Sequence, residues 1–301
     1  MTKSLKTAVI GLGSMGYGMA QSLLRSGHVT HGFDVTSSKM DLFKAEGGAP
    51  GALSDVAPSL QAVVCVVLNA AQTESVLFGN DGIVPKLPDG AVILSCATVP
   101  PDFAHNMENR CAALGVHYLD SPISGGALKA SQGRLSIMAS GTPTAFATAL
   151  PVLDSLAETV FELGDNAGPG SAMKATNQLL AGVHIAAMAE AITFGITQGI
   201  APDKFLDVIS KCAGTSWMLE NRAPHIVSGD YTPRSAVNIW PKDLGIVTEM
   251  AAASGFAAPI TQTALAQFKS AADLGLGFED DAAVAKVYAH RSGLTLPGEN
   301  T

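Results

Sequence analysis

The chain has no block of basic residues, no internal repeat, no low-complexity segment and only four cysteines, and no stretch reaches the ~18 uninterrupted apolar residues of a membrane span. Each absence removes a class of function. A formal charge of -8 without a basic stripe argues against nucleic acid or an anionic membrane surface as the main partner. Cys65, Cys96, Cys111 and Cys212 show neither CxxC spacing nor a matching histidine pattern, and read as reduced residues of the interior. His184 and Glu190 stand six apart with no second histidine at ligand spacing, so no metal site is expected. Lys3 and Lys6 lead straight into the first apolar run without an apolar leader, and the expected location is the cytoplasm. What remains is a chain of 301 residues, 47% hydrophobic with a mean hydropathy of +0.28. That suffices for two domains with a large buried core, and points to a small-molecule ligand.

Lys6 to Ala20 reads as strand, glycine turn and helix, with the turn Gly11-Leu12-Gly13-Ser14-Met15-Gly16 at its centre. Gly11 permits the turn, Gly13 a close approach of backbone to a pyrophosphate, and Gly16 the packing of helix on strand. Phosphates would then meet free N–H groups at a helix N-terminus. With 31 glycines in the chain such a spacing could arise by chance, so the context decides. Ala8-Val9-Ile10 precedes the turn, Met19, Leu23 and Leu24 follow it at helical spacing, and a second apolar run, Val29 to Asp34, ends in a carboxylate. Asp34 would accept both ribose hydroxyls of an adenosine and repel a 2'-phosphate. Val35 to Ser38 offers no arginine to receive such a phosphate, although Lys39 is near, so NAD is expected over NADP.

Strand candidates recur at 6–11, 29–34, 62–68, 91–95, 116–120, 135–140 and 158–163, alternating with helical patterns. That alternation predicts an α/β class domain over 1–164, a Rossmann-type, doubly wound, mostly parallel sheet. Gly164 to Gly170 breaks the pattern, and helix-favouring sequence follows from Ser171 to Ile196. Further helices are expected at 202–212, 215–227, 239–254, 260–274 and 281–290, so residues 165–301 should form an all-α substrate and oligomerisation domain. Leu179, Leu180, Val183, Ala186 and Ala187 form an apolar stripe suited to core or interface packing, which suggests a homo-oligomer, a dimer or tetramer.

Two segments carry candidate chemistry. Lys174 lies three residues before Asn177 and four before Gln178, which places all three on one helix face. It is either a solvated surface lysine or a base; in a dry cleft beside an oxidised nicotinamide, desolvation and positive charge would both favour a neutral amine able to take an alcohol proton. Asp120-Ser-Pro-Ile-Ser-Gly-Gly126 follows a strand and precedes a helical stretch. Ser124 with the N–H groups of Gly125 and Gly126 could cup a carboxylate, or the segment could be an ordinary flexible connection.

Four motifs in this order resemble the β-hydroxyacid dehydrogenases: the glycine turn 11–16, the loop 120–126, Gly168-Pro-Gly-Ser-Ala-Met-Lys174, and Lys242-Asp-Leu-Gly245. The resemblance spans nearly the whole chain. It implies a dehydrogenase in which Lys174 is the acid/base, Ser124, Gly125 and Gly126 hold the substrate carboxylate, and Asn177 and Gln178 also bind substrate. It further implies that Leu68 and Asn69 flank the dinucleotide, that Thr98 lies near the nicotinamide, and that Lys242 completes the cofactor pocket. One departure is that many members carry paired asparagines where this chain has Asn177-Gln178. With Ser216 to Arg222, Asp230 to Pro233 and Asp280-Asp281, the departure resembles a subgroup that oxidises C2 of a four-carbon sugar acid, L-threonate, to 2-oxo-tetronate. A 3-hydroxyisobutyrate dehydrogenase or tartronate semialdehyde reductase is the nearest alternative within the family. Retention of Lys174 weighs against a non-catalytic NAD-sensing protein. Trp217 and Arg222 could shape a pocket, but are read more simply as a buried tryptophan and a surface arginine.

Overall fold

Parallel strands covered on both faces favour apolar residues, and Lys6–Ile10 (β1), Val29–Phe33 (β2), Ala62–Cys65 (β3), Val92–Ser95 (β4) and His117–Asp120 (β5) are buried over most of their length, with β3 apolar throughout. In the computed structural model, which describes residues 4–299 and so leaves Lys3 outside the described residues, they form one parallel sheet in the order β2-β1-β3-β4-β5. The register runs Thr7 to Ala62 and Ile10 to Cys65 between β1 and β3. Helices Gly16–Arg25 (α1), Ser37–Ala45 (α2), Leu53–Val56 (α3), Ala70–Phe78 (α4) and Pro101–Ala112 (α5) make the crossovers. Val9, Met19, Leu23, Val64 and Leu94 pack on one face of the sheet, and Ala8, Val63, Ile93, Met107 and Tyr118 on the other.

Beyond β5 the chain forms Ile123–Ser124 (β6), Gly126–Gln132 (α6), Leu135–Ala139 (β7), Pro143–Leu156 (α7) and Ala157–Glu162 (β8). These strands make a second sheet in the order β6-β7-β8, with β6 antiparallel and β8 parallel to β7. The two-residue β6 follows Pro122 and is too short to leave a sequence pattern. The long apolar run 62–68 is strand only to Cys65, because the chain there passes tightly over the first turn: a Cβ on Gly11 would lie 2.1 Å from the Val66 carbonyl oxygen. Leu68 is accordingly exposed, its N–H donating to Gln72 Oε1 at 2.9 Å.

Pro169–Thr197 (α8) is a 29-residue helix, long and apolar enough by composition to cross a bilayer. Its buried residues Gly182, Ile185, Ala189 and Ile192 recur every three or four positions, and the three with side chains belong to the core of the second unit, which accounts for the apolarity of that side of the helix. The chain divides into two compact units, Met1–Lys174 and Ala175–Thr301. The second holds the remainder of α8 and helices Pro202–Ile209 (α9), Trp217–Ser228 (α10), Ile239–Ala253 (α11), Pro259–Ala271 (α12) and Ala285–Ser292 (α13). Among its described residues the only β pairing is the bridge between Ala236 and Asp280. Trp240 stacks on Phe268 at 5.4 Å in its core, and a Cβ on Gly182 would lie 2.9 Å from both Leu244 and Trp240, so α8 and α11 are in close contact. Three cysteines are buried as expected; Cys212 is exposed, since it lies just past the end of α9 rather than in the core.

Candidate active site

Because β1 to β5 are parallel, the residues that follow their carboxyl ends gather along one edge of the sheet, and the strand order reverses between β1 and β3, where ligands of such sheets bind. Gly11 to Gly16 follow β1, Asp34 follows β2, Leu68 and Asn69 follow β3, Thr98 follows β4, and Ser124 to Gly126 come after β5. The turn is built by contact. Gly11 has φ +99°, and a Cβ on Gly16 would lie 1.8 Å from the Gly11 carbonyl oxygen, so neither position accepts a side chain. Gly13 differs: nothing lies within 4 Å of where its Cβ would be. Its freedom from a side chain serves no packing in the protein, and suits the approach of a pyrophosphate.

Asp34 is fixed at the rim of this turn. Its Oδ2 accepts the Leu12 N–H at 2.7 Å and its Oδ1 the Thr36 N–H at 2.9 Å, while Lys39 Nζ stands 3.8 Å away. Burial raises the carboxyl pKa, but those hydrogen bonds and the lysine outweigh it and hold Asp34 below the usual carboxylate value. The turn and the carboxylate therefore fit a dinucleotide with free ribose hydroxyls. Asn69 caps α4, its side chain accepting the Gln72 N–H at 2.9 Å, and Thr98 is buried beyond β4.

Lys174 is buried, and its Nζ donates to the Ile123 carbonyl at 3.0 Å. The amine thus stands beside the segment Ser124 to Gly126, in which Gly125 and Gly126 take φ values of +136° and +78°. No side chain larger than glycine's adopts that backbone without strain. Asp120, fully buried at the end of β5, accepts hydrogen bonds from Gly168, Ser171 and Ser140.

In the second unit Asn177, Gln178 and Lys242 form a cluster of their own. Asn177 Nδ2 donates to Gln178 Oε1 at 3.0 Å, Gln178 Nε2 donates to Asp243 Oδ2, and Lys242 Nζ pairs with Asp243 Oδ1 at 2.6 Å. Asp243 and Asp120 are polar residues whose roles sequence reading missed. Asp243 stood beside the singled-out Lys242; Asp120 gave no sign of its partners, which lie 20 to 51 residues away. The reading of Trp217 and Arg222 is reversed. Ser216 caps α10 and leaves Trp217 in its first turn, 61% exposed, whereas Arg222 is drawn inward to Asp281, with Nε 2.5 Å from its Oδ1. Among the described residues no group of three or more His, Cys, Asp or Glu could hold a metal ion.

Residues 6–164 match the model for the NAD binding domain of 6-phosphogluconate dehydrogenase, and 168–288 that for the NAD-binding domain of NADP-dependent 3-hydroxyisobutyrate dehydrogenase. An L-threonate dehydrogenase of Cupriavidus necator is 46% identical over 98% of this chain and 99% of its own, and one of Escherichia coli K12 is 44% identical over 96% of each. The chain belongs to the β-hydroxyacid dehydrogenase family. Membership makes it an NAD-dependent dehydrogenase, and the matched residues 6–164 include the glycine turn and Asp34. A crystal structure of a 3-hydroxyisobutyrate dehydrogenase from Salmonella typhimurium superposes with a TM-score of 0.90 at 44% identity, covering 94% of this chain and all of that one.

Proposed function

We propose that this β-hydroxyacid dehydrogenase oxidises L-threonate at C2 to 2-oxo-tetronate with NAD. The observation that carries the chemistry is the buried Lys174 amine, 3.0 Å from the carbonyl that immediately precedes Ser124. The substrate is suggested by relatives 43–46% identical over nearly the whole chain that bear that activity's name. Ser124, Gly125 and Gly126 hold the substrate carboxylate, Lys174 accepts the C2 hydroxyl proton, and Asn177 and Gln178 bind the remaining hydroxyls. Gly11 to Gly16, Asp34, Leu68, Asn69, Thr98 and Lys242 hold NAD, which when bound supplies the hydride acceptor. Residues 1–164 form the cofactor domain and 165–301 the substrate and oligomerisation domain of a cytoplasmic homo-oligomer, a dimer or tetramer.

Two measurements test this. General acid/base catalysis contributes about 10²- to 10⁴-fold, so Lys174→Ala should lower kcat by that order while NADH still binds. Near-normal turnover in that variant would remove Lys174 from the chemistry. NADH formation from L-threonate, 3-hydroxyisobutyrate and glycerate should then rank L-threonate first by kcat/KM. The name of the Salmonella structure favours a second reading, in which 3-hydroxyisobutyrate leads that panel.

A further inference from the structure

A lysine base must be placed as well as present. Five residues around the start of α8 show how this is done. Asp120 Oδ2 accepts the Gly168 N–H at 3.1 Å, the Ser171 N–H at 2.8 Å and the Ser140 hydroxyl at 3.3 Å, and its Oδ1 accepts the Ser171 hydroxyl at 2.8 Å. Ser140 Oγ accepts the Gly170 N–H at 2.9 Å, and Glu108 Oε2 the Ala167 N–H at 3.0 Å. Pro169 has no N–H, so each backbone donor from 167 to 171 is met by a side chain from α5, from β5 or from the residue after β7. The backbone is pressed against these strands: a Cβ on Gly170 would lie 2.4 Å from the Met138 carbonyl oxygen and 3.1 Å from Asp120 Oδ2.

The geometry is a two-point joint. Asp120 grips Ser171, and Ile123, three residues further along the same segment, accepts from Lys174, three residues further along the helix. Two contacts one helical turn apart fix both the depth of the helix start and its rotation, and hence the distance from the lysine amine to Ser124. We propose that Asp120 is the positioning residue for Lys174, locking the lysine's helix to the substrate loop. This rests on the reading of Lys174 as the base. Asp120 itself needs no contact with substrate or cofactor.

The test uses the full-length enzyme and compares Asp120→Ala, Asp120→Asn and Ser171→Ala with Lys174→Ala. An effective misplacement of about 1 Å costs on the order of 10²-fold, so Asp120→Ala should lose roughly that factor in kcat per NADH-binding site, with its kcat–pH profile altered. The amide oxygen of Asn can still accept from Gly168, Ser171 and Ser140, and the Ser171 hydroxyl can turn to accept from the amide nitrogen, so Asp120→Asn should recover most of the lost turnover. Ser171→Ala, which keeps the backbone caps, should lose about three- to tenfold in kcat and decides the matter if Asp120→Ala does not fold. A purely structural role would lower the number of NADH sites while leaving kcat per site and the pH profile as in the wild type, and would overturn the proposal. So would equal losses in the Asn and Ala variants, or an unchanged kcat in Ser171→Ala when Asp120→Ala cannot be folded. If Lys174→Ala is inactive and Asp120→Ala normal per site, only the Asp120 assignment fails; if Lys174→Ala is active, the reading beneath it fails.

Discussion

Asp34 shows how much a single carboxylate decides. Its two oxygens are already oriented by the Leu12 and Thr36 N–H groups, so in the proposed cofactor site the face it would offer an adenosine is set by the protein itself. Replacing it by alanine removes both the ribose acceptor and the repulsion of a 2'-phosphate, so Asp34→Ala should weaken NAD and raise the NADP/NAD ratio of kcat/KM. An unchanged ratio would remove Asp34 from cofactor choice. Its pH behaviour follows from the sign of its shift. The folded-state value lies below 3.8, so the carboxylate's contribution to stability is fully present above that pH and is lost as pH falls through the lower folded value. The difference in Tm between wild type and Asp34→Asn should therefore be flat from about pH 5 upward and shrink only in stronger acid. Arg222 matters in another way. Asp281 is fully buried, and burial pushes its pKa up against the pull of Arg222; Trp240 Nε1 also donates to it at 2.9 Å. Removing one partner of a buried pair typically costs about 3–5 kcal/mol, so Arg222→Ala should be strongly destabilised in urea unfolding, with Asp281→Asn in the same chain recovering part of the loss.

The glycine turn was legible because its constraint is local. Gly11, Gly13 and Gly16 announce themselves by spacing, yet the structure separates their reasons. Gly16→Ala sets a Cβ 1.8 Å from a backbone oxygen and should destabilise the fold, whereas Gly13→Ala meets open space and should leave Tm nearly unchanged while abolishing NADH binding. Thermal unfolding and NADH fluorescence on both variants check that separation; a Gly13→Ala chain that still binds NADH would refute the cradle. The same locality explains which elements could be read. β1, β2, β4 and β5 follow their apolar runs closely, and α9 to α13 fall between Gly and Pro punctuation within a few residues of the expected bounds. β6 was missed because two residues carry no period, and β3 stops short of its apolar run at Val66, whose N–H still donates to Ile10 but whose carbonyl lies against Gly11 of the turn. Lys174 could be singled out from its motif, but not the carboxylate that fixes its helix, since hydrogen bonds such as Asp120–Ser171 join positions 51 apart. Trp217 and Arg222 were misread for a related reason: hydrophobicity ranks residue types, while a helix cap and a buried carboxylate 59 positions away decide these two.

At the scale of the whole molecule, the outer side of α8 bears on assembly. One stripe of the helix is buried, but the opposite side leaves Leu180, Ala187, Ala191 and Phe194 exposed, with Phe194 at 63%. Those four recur at spacings of seven, four and three, so they share one face. Single exposed apolar residues are ordinary on protein surfaces, whereas a row of them along a helix is the pattern of a surface that a partner covers. The apolar stripe expected from Leu179 to Ala187 therefore divides, Ala186 going inward and Leu180 and Ala187 outward. If the outward row is the seam of the proposed homo-oligomer, light scattering should give a mass that is a multiple of 30.8 kDa. Leu180→Glu combined with Phe194→Glu should reduce that mass, because two charges buried without partners cost more than the apolar contacts they replace. A double variant that keeps the wild-type mass would place the seam elsewhere. Since Leu180 follows Gln178 by two positions on α8, a seam along this row would also tie assembly to the helix that carries Lys174, and dissociation in the double variant should then lower kcat as well as mass.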